Sequence, residues 1–131
     1  MNGSKVLKAN LLVSGVILLA VGSILLLAPA AMHGANGVDL GSNPSLLSEV
    51  RAPGGSLLAL GGLVLASVFV SRLRYPATMI AATVYIAYGL SRLLSMAIDG
   101  MPAPGIVAAA GLEIMIGTVN VVMLTRLRLI A

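Results

Sequence analysis

"MIAATVYIAYGLSRLLSMAIDGMP", residues 79–102, is an apolar run long enough to cross a membrane, yet it contains an arginine. A hydrocarbon core needs about 20 mostly apolar residues in a helix. A charge in the middle of such a helix costs about 2.5–3.5 kcal/mol on insertion scales. We therefore expect Arg92 to point towards other helices rather than towards lipid.

The whole chain shares this apolar character. Of its 131 residues, 59% are hydrophobic and 9% are charged, and the mean hydropathy is +1.07. Soluble domains average about a quarter charged residues, so water is a poor solvent for most of this surface. The net charge of +4 does not indicate nucleic-acid binding, because the basic residues flank apolar runs and aromatic residues make up only 3%. The chain has no cysteine, and we predict no metal site.

Four apolar segments predict membrane spans, at residues 9–28, 53–71, 77–98 and 105–125. Stretches rich in Gly, Pro, Asn and Asp follow the first and third spans, and "RLRYP", residues 72–76, separates the second span from the third. The predicted fold is all-α: an integral membrane four-helix bundle of up-down topology, in one domain over residues 1–131. The basic start and the first apolar run resemble a signal peptide, but the run is longer than usual, so we interpret it as a retained helix.

The basic residues predict the orientation of the bundle. With both termini on one side, that side carries six basic residues and the other side carries two. The six are Lys5, Lys8, Arg72, Arg74, Arg126 and Arg128, and the two are Arg51 and Arg92. The positive-inside rule then places both termini in the cytoplasm.

The predicted outer loop, residues 30–52, is longer than the others. It contains "SNPSLLSEV", residues 42–50, in which Asn43 is a helix cap and Pro44 a first helical residue. This pattern predicts a short helix at the membrane interface or folded back over the bundle. His33, the only histidine, is expected to be a surface residue of this loop rather than a metal ligand.

Polar residues share one face on each of the last two spans. They are Tyr85, Tyr88, Arg92 and Asp99 on the third span, and Glu113 and Asn120 on the fourth, with Gly117 between them. Glu49 and Arg51 lie at the same outer end. These eight polar residues are our candidate ligand-binding or buried polar cluster, and no catalytic residue is assigned.

Arg92 and Glu113 are expected to form an ion pair. Counted from the outer ends of their helices, they lie roughly 9 Å and 12 Å deep, at nearly the same level. Pairing would offset much of the cost of burying either charge. Two interpretations remain open: a pocket for a ligand or proton, and a pair that only fixes helix register.

The second span has a face of small residues that predicts close helix packing. This face consists of Gly55, Ala59, Gly62 and Ala66, and Gly117 is expected to act similarly on the fourth span. A weak repeat joins "APGGSLLALGGL", residues 52–63, to "APGIVAAAGLEI", residues 103–114. It indicates two helical hairpins related by duplication.

Three segments, "LSEVRAPGG", "YGLSRLLSMAIDGMP" and "GLEIMIG", resemble a family of small bacterial four-span membrane proteins of unknown function. The resemblance covers essentially the whole chain, and the family is similar in layout to DoxX-like proteins. It implies a multi-pass protein of the bacterial inner membrane. DoxX-like proteins were named for association with a quinol oxidase, which implies an accessory role in redox complexes. The residues it marks are Glu49, Arg51, Gly54, Gly55, Arg92, Asp99, Gly100 and Glu113.

Three functions are open on the sequence. The leading hypothesis is binding of a lipophilic or amphipathic molecule, or docking as an accessory subunit of a membrane complex. The alternatives are a small proton or solute transporter and an isomerase-like membrane enzyme, for which a tight Arg92–Glu113 pair would be unfavourable. We predict no cofactor, although the site would suit a quinone or a lipid. The expected partners are the bilayer and either a larger membrane complex or a homo-oligomer.

Overall fold

The computed structural model describes residues 3–128, which form helices and connections without any strand. The helices are α1 (Gly3–Leu27), α2 (Pro29–Gly34), α3 (Pro44–Phe69), α4 (Arg74–Asp99) and α5 (Pro104–Arg128), with a 3₁₀ turn at Ser71–Leu73. Four of these segments are long and apolar enough to cross a membrane, as predicted. The protein is therefore all-helical, with the features of a multi-pass membrane protein. Residues 1–2 and 129–131, the ends predicted to be cytoplasmic, lie outside the described residues.

The long loop differs from its prediction, because the expected short helix is the beginning of α3. The Asn43 side chain accepts hydrogen bonds from the backbone nitrogens of Ser45 (2.9 Å) and Leu46 (3.3 Å), as a helix cap does. The helix does not end after this first part but continues to Phe69. Pro53 has no N–H, so the Glu49 carbonyl oxygen loses its hydrogen bond within the helix. Both residues are exposed, and the proline is therefore tolerated inside α3.

The long helices form two antiparallel hairpins, α1 with α3 and α4 with α5. In the first hairpin, Gly15 lies against Leu65 and Gly22 against Leu58, so residue numbers rise along α1 as they fall along α3. A few contacts of α1 with α4 and α5, and of α3 with α4, join the hairpins. The two hairpins therefore contact one another much less than the helices within each hairpin do.

Both hairpins use the same interlocking contacts, in which a glycine meets a large aliphatic residue. The pairs are Gly22–Leu58 and Gly61–Leu19 in the first hairpin, and Gly89–Ile114 and Gly117–Ile86 in the second. A Cβ at Gly61 would lie 2.7 Å from the backbone nitrogen of Leu19, so only glycine allows this approach. The prediction that Gly117 packs closely is consistent with its contact with Ile86.

These contacts define an internal structural repeat. They match "ILLAVGSILLL", residues 17–27, to "VYIAYGLSRLL", residues 84–94, and match Gly61 to Gly117. In the same register, buried Leu11, Ser14, Gly15, Leu18 and Gly22 of α1 correspond to buried Thr78, Ala81, Ala82, Tyr85 and Gly89 of α4. The predicted duplication was therefore drawn in the wrong register, since it matched Gly61 to Leu112.

The predicted packing face on α3 was wrong by one residue. Ala59, Gly62 and Ala66 are exposed, and a Cβ at Gly62 would meet nothing within 4 Å. The face that packs consists instead of Gly54, Leu57, Gly61, Val64 and Ser67. Both faces carry glycines seven positions apart, but the buried face also carries the large aliphatic residues that fill the hairpin interface.

Candidate functional site: a cavity between the two hairpins

A cavity of about 270 Å³ lies between the hairpins, at the end of the bundle covered by α2. Its walls are mostly aliphatic and come from α1, α4 and α5, with Leu57 from α3. Met32, His33, Asn36 and Val38, on α2 and the loop after it, complete the lining. An apolar cavity with a few polar groups on one wall is the usual form of a small-molecule site.

The polar wall contains the Arg92–Glu113 ion pair. Arg92 Nε donates to Glu113 Oε2 at 2.8 Å, and the two side chains are 31% and 16% exposed. Tyr88 and Tyr85 line the cavity beside them. Four of the eight candidate residues are therefore brought together, and Arg92 points inwards to meet an acidic partner.

The two tyrosines have different surroundings. Tyr85 is 4% exposed, and its hydroxyl donates to the Ser14 carbonyl oxygen at 2.7 Å. Tyr88 is half-buried, and within residues 3–128 its hydroxyl has no hydrogen-bond partner. Tyr88 therefore offers the cavity a hydroxyl that can both donate and accept, whereas Tyr85 ties α4 to α1.

Three charged candidates lie outside the cavity, so the expected convergence of two arginines and three carboxylates is wrong. Arg51 donates to the Leu26 carbonyl oxygen near the end of α1. Asp99 is exposed and accepts from the Ser95 hydroxyl at 2.9 Å, and Glu49 is exposed on the first part of α3. Arg51 acts as a helix cap, since a carbonyl in the last turn lacks a partner within its own helix.

Asn120, the remaining candidate, belongs to a second polar cluster away from the ion pair. It is fully buried, accepts from Asn10 Nδ2 at 2.9 Å and donates to Ser14 Oγ at 3.0 Å. The cluster joins α5 to α1, and the Tyr85 hydrogen bond to Ser14 connects it to the floor of the cavity. Asn10 and Ser14 were weak signals in the sequence because each is a single polar residue in an apolar helix.

Asn120→Val is expected to destabilise the bundle by about 1 kcal/mol, because the partly buried Asn10 amide and the buried Ser14 hydroxyl would lose their partner. The counterparts of the three residues in the repeat are Val64, Ala77 and Ala81, all fully buried. The triple variant Asn120→Val/Asn10→Ala/Ser14→Ala should therefore recover much of the loss, measured by unfolding in mixed micelles. Equal stabilities for the single variant and the parent would show that these hydrogen bonds contribute nothing.

α2 supplies cavity residues that the sequence did not indicate. His33 was expected on a loop surface, but it lies on a helix, is half-buried and lines the cavity. Its Nδ1 lies 2.9 Å from the Pro29 carbonyl oxygen, and Asn36 Nδ2 donates to the Met32 carbonyl oxygen at 3.1 Å. Pro29 at the first helical position was the available signal for this short helix.

The repeat shows that only the second hairpin carries the polar wall. In the first hairpin, Leu25 and Leu57 occupy the positions of Arg92 and Glu113, and Val21 occupies the position of Tyr88. Leu25, Leu57 and Val21 also line the cavity, on its apolar side. The same antiparallel hairpin therefore packs without charges.

The chemistry of this wall favours binding over acid–base catalysis. One oxygen of the Glu113 carboxylate already accepts a hydrogen bond from Arg92 Nε at 2.8 Å, so this oxygen is engaged by a partner and is poorly placed to take a proton from a substrate. Arg92 has four further N–H groups beside Nε. Together with the Tyr88 hydroxyl they can donate to an oxygen of a bound molecule.

The fold and the site define a class: small helical proteins with four candidate membrane spans and an internal cavity with one polar wall. The chain belongs to the family described as a domain of unknown function, DUF4345, whose model matches residues 6–124. No curated protein and no solved structure is similar enough to the chain to count as a match.

Proposed function

We propose that this protein binds a lipophilic or amphipathic molecule in the cavity between its hairpins. The observation that carries the proposal is the contrast between the two repeats. An ion pair needed only for helix register would be needed in both hairpins, yet the first hairpin has Leu25 and Leu57 in its place. A polar wall beside an otherwise apolar cavity suits a molecule with one polar end.

We further propose that the cavity faces the outer side of a bacterial inner membrane. The basic residues near the start of α1 and of α4 lie together, since Arg74 Nη1 is 3.5 Å from Ser4 Oγ. The cavity lies towards the opposite ends of these helices, beneath α2. The positive-inside rule would then place the basic end in the cytoplasm.

The proposal is tested by the molecules that the purified protein retains. Protein isolated from membranes in mild detergent should carry a lipophilic compound, identified by mass spectrometry of an organic extract. The variant Arg92→Leu/Glu113→Leu should retain at least about tenfold less of this compound, because its polar wall would then resemble the apolar wall formed by Leu25 and Leu57. The matched control is Thr118→Val, on the exposed side of α5 and outside the cavity. No retained compound, or equal retention by the double variant, would overturn the proposal.

The same preparation tests the accessory-subunit form of the proposal, which is motivated by the resemblance of the sequence to DoxX-like proteins. A larger complex should then co-purify with the parent chain. The double variant distinguishes the two forms, because a partner held through the outer surface would remain while the bound molecule is lost.

A second candidate function is proton or solute transport, favoured by the polar cluster of Asn10, Ser14 and Asn120. Tyr85 links this cluster to the cavity, so polar groups extend from the cavity towards the basic end. A relay along them would need water or a mobile solute, since neither asparagine nor serine exchanges a proton readily. Liposomes containing the protein should then show a pH- or ion-driven flux that Asn120→Val reduces, and the absence of flux would exclude this candidate.

A further inference from the structure

A groove between α3 and α4 adjoins the cavity. Leu57, Val84 and Tyr88 line both spaces, so a single layer of side chains separates them. The rest of the groove is formed by Pro53, Ser56, Leu60, Thr83 and Ala87. Ser56, Thr83 and Ala87 are exposed on the side of the bundle, so the groove opens where a membrane-spanning helix meets lipid.

The repeat gives this groove a counterpart on the other side of the cavity. Val84 and Tyr88 of the groove correspond to Ile17 and Val21 of α1, while Pro53 corresponds to Ala109 of α5. Those counterparts line the cavity between α1 and α5. The two sides are covered differently: α2 lies over the cavity, whereas the connection between α4 and α5, residues 100–103, contains no helix.

The charges on the polar wall restrict the head group that the cavity would accept. Arg92 and Glu113 neutralise one another, so a charged head group would meet one partner and one like charge close together. An uncharged head with hydroxyl or carbonyl oxygens would accept from Arg92 and Tyr88 without that repulsion. A volume of about 270 Å³ is small for a complete lipid, since typical ligand pockets hold about 300–1,000 Å³.

We propose that the bound molecule is a neutral single-chain amphiphile, with its head at Tyr88 and Arg92 and its hydrocarbon chain in the α3–α4 groove. This proposal rests on the proposed function and specifies its ligand. The groove and the cavity share Leu57, Val84 and Tyr88, so the proposed molecule would reach from one space to the other by displacing this single layer of side chains. Apolar side chains form most of the groove, which suits an alkyl chain that continues into the bilayer.

The test uses a monoacylglycerol probe with a photoreactive diazirine in mid-chain, added to the full-length protein in lipid nanodiscs. Peptide mapping should place the label on α3 and α4, within the segments that contain Ser56, Thr83 and Ala87. Unlabelled monoacylglycerol should compete for the site. A fatty acid of equal chain length should compete at least about tenfold less well, because its carboxylate would face Glu113.

Two alanines at equivalent positions of the repeat provide matched variants. Ala87 lines the groove, whereas Ala20, its counterpart on α1, is also exposed but lines neither space. Ala87→Phe should fill the groove and reduce competable labelling at least about tenfold, while Ala20→Phe should leave it within about twofold.

The outcomes separate this proposal from the one on which it rests. Competable label on α1, α2 or α5 would overturn the proposed position of the hydrocarbon chain but would still indicate a bound molecule. A loss of labelling in Ala20→Phe rather than in Ala87→Phe would have the same meaning. Equal competition by the fatty acid would overturn the neutral head group. Absence of any competable label on the parent protein would contradict both proposals.

Discussion

Gly22→Ala is expected to destabilise the protein by about 1–2 kcal/mol. The new Cβ would lie 2.8 Å from the Gly54 carbonyl oxygen and 2.9 Å from the Leu58 Cα. These are backbone atoms, so α1 and α3 would have to separate rather than rotate one side chain. Such overpacking costs about 1–3 kcal/mol. The better helix propensity of alanine offsets about 1 kcal/mol of this cost. The variant is therefore less stable only if the two helices cannot adjust easily. The interlocked Gly61–Leu19 contact restricts that adjustment.

Gly62→Ala is the matched control, because it makes the same change one position away from the buried Gly61. A Cβ there meets nothing within 4 Å, so its stability should be unchanged or raised by up to about 1 kcal/mol. Gly89→Ala should fall between the two, since its closest contacts are the Cδ1 and Cγ1 atoms of Ile114, which can move. Unfolding in mixed micelles, followed by circular dichroism, measures all three. Equal losses for Gly22→Ala and Gly62→Ala would contradict the observed α1–α3 contact.

The sequence was sufficient to predict the four long apolar helices and the Arg92–Glu113 pair. Both follow from the cost of placing polar groups in hydrocarbon. Length and hydropathy locate the helices, and a cation on one apolar helix then requires an acidic partner at the same depth. The 2.8 Å bond from Arg92 to Glu113 has the geometry that this argument requires.

Other features depend on contacts that the residue pattern does not contain. Arg51 was expected to join the acidic residues, but its partner is the backbone carbonyl of Leu26, and carbonyls carry no signature in a sequence. The choice between the Gly54–Gly61 and Gly55–Gly62 faces depends on which face meets α1, since both have helical spacing. The cover formed by α2 depends on a six-residue helix too short for periodicity to reveal.

Single replacements of the ion pair should destabilise the protein, whereas the double replacement should leave its stability nearly unchanged. Arg92→Leu leaves the Glu113 carboxylate, 16% exposed, without its partner and should cost about 2–3 kcal/mol. This is below the 3–5 kcal/mol of fully buried pairs, because both groups are partly exposed and partly screened. Glu113→Leu should cost less, about 1–2 kcal/mol, since the longer Arg92 side chain can extend towards the interface.

The double variant Arg92→Leu/Glu113→Leu is expected to lie within about 1 kcal/mol of the parent protein. Replacement of both charges by apolar residues removes the desolvation cost together with the attraction. The first hairpin supplies a packed example of the product, because Leu25 and Leu57 hold the corresponding positions. The cycle of four proteins, unfolded in mixed micelles, gives the coupling free energy directly. If the double variant were as unstable as the sum of the single variants, the pair would be needed for packing of the second hairpin, and the contrast between the repeats would no longer argue for a binding site.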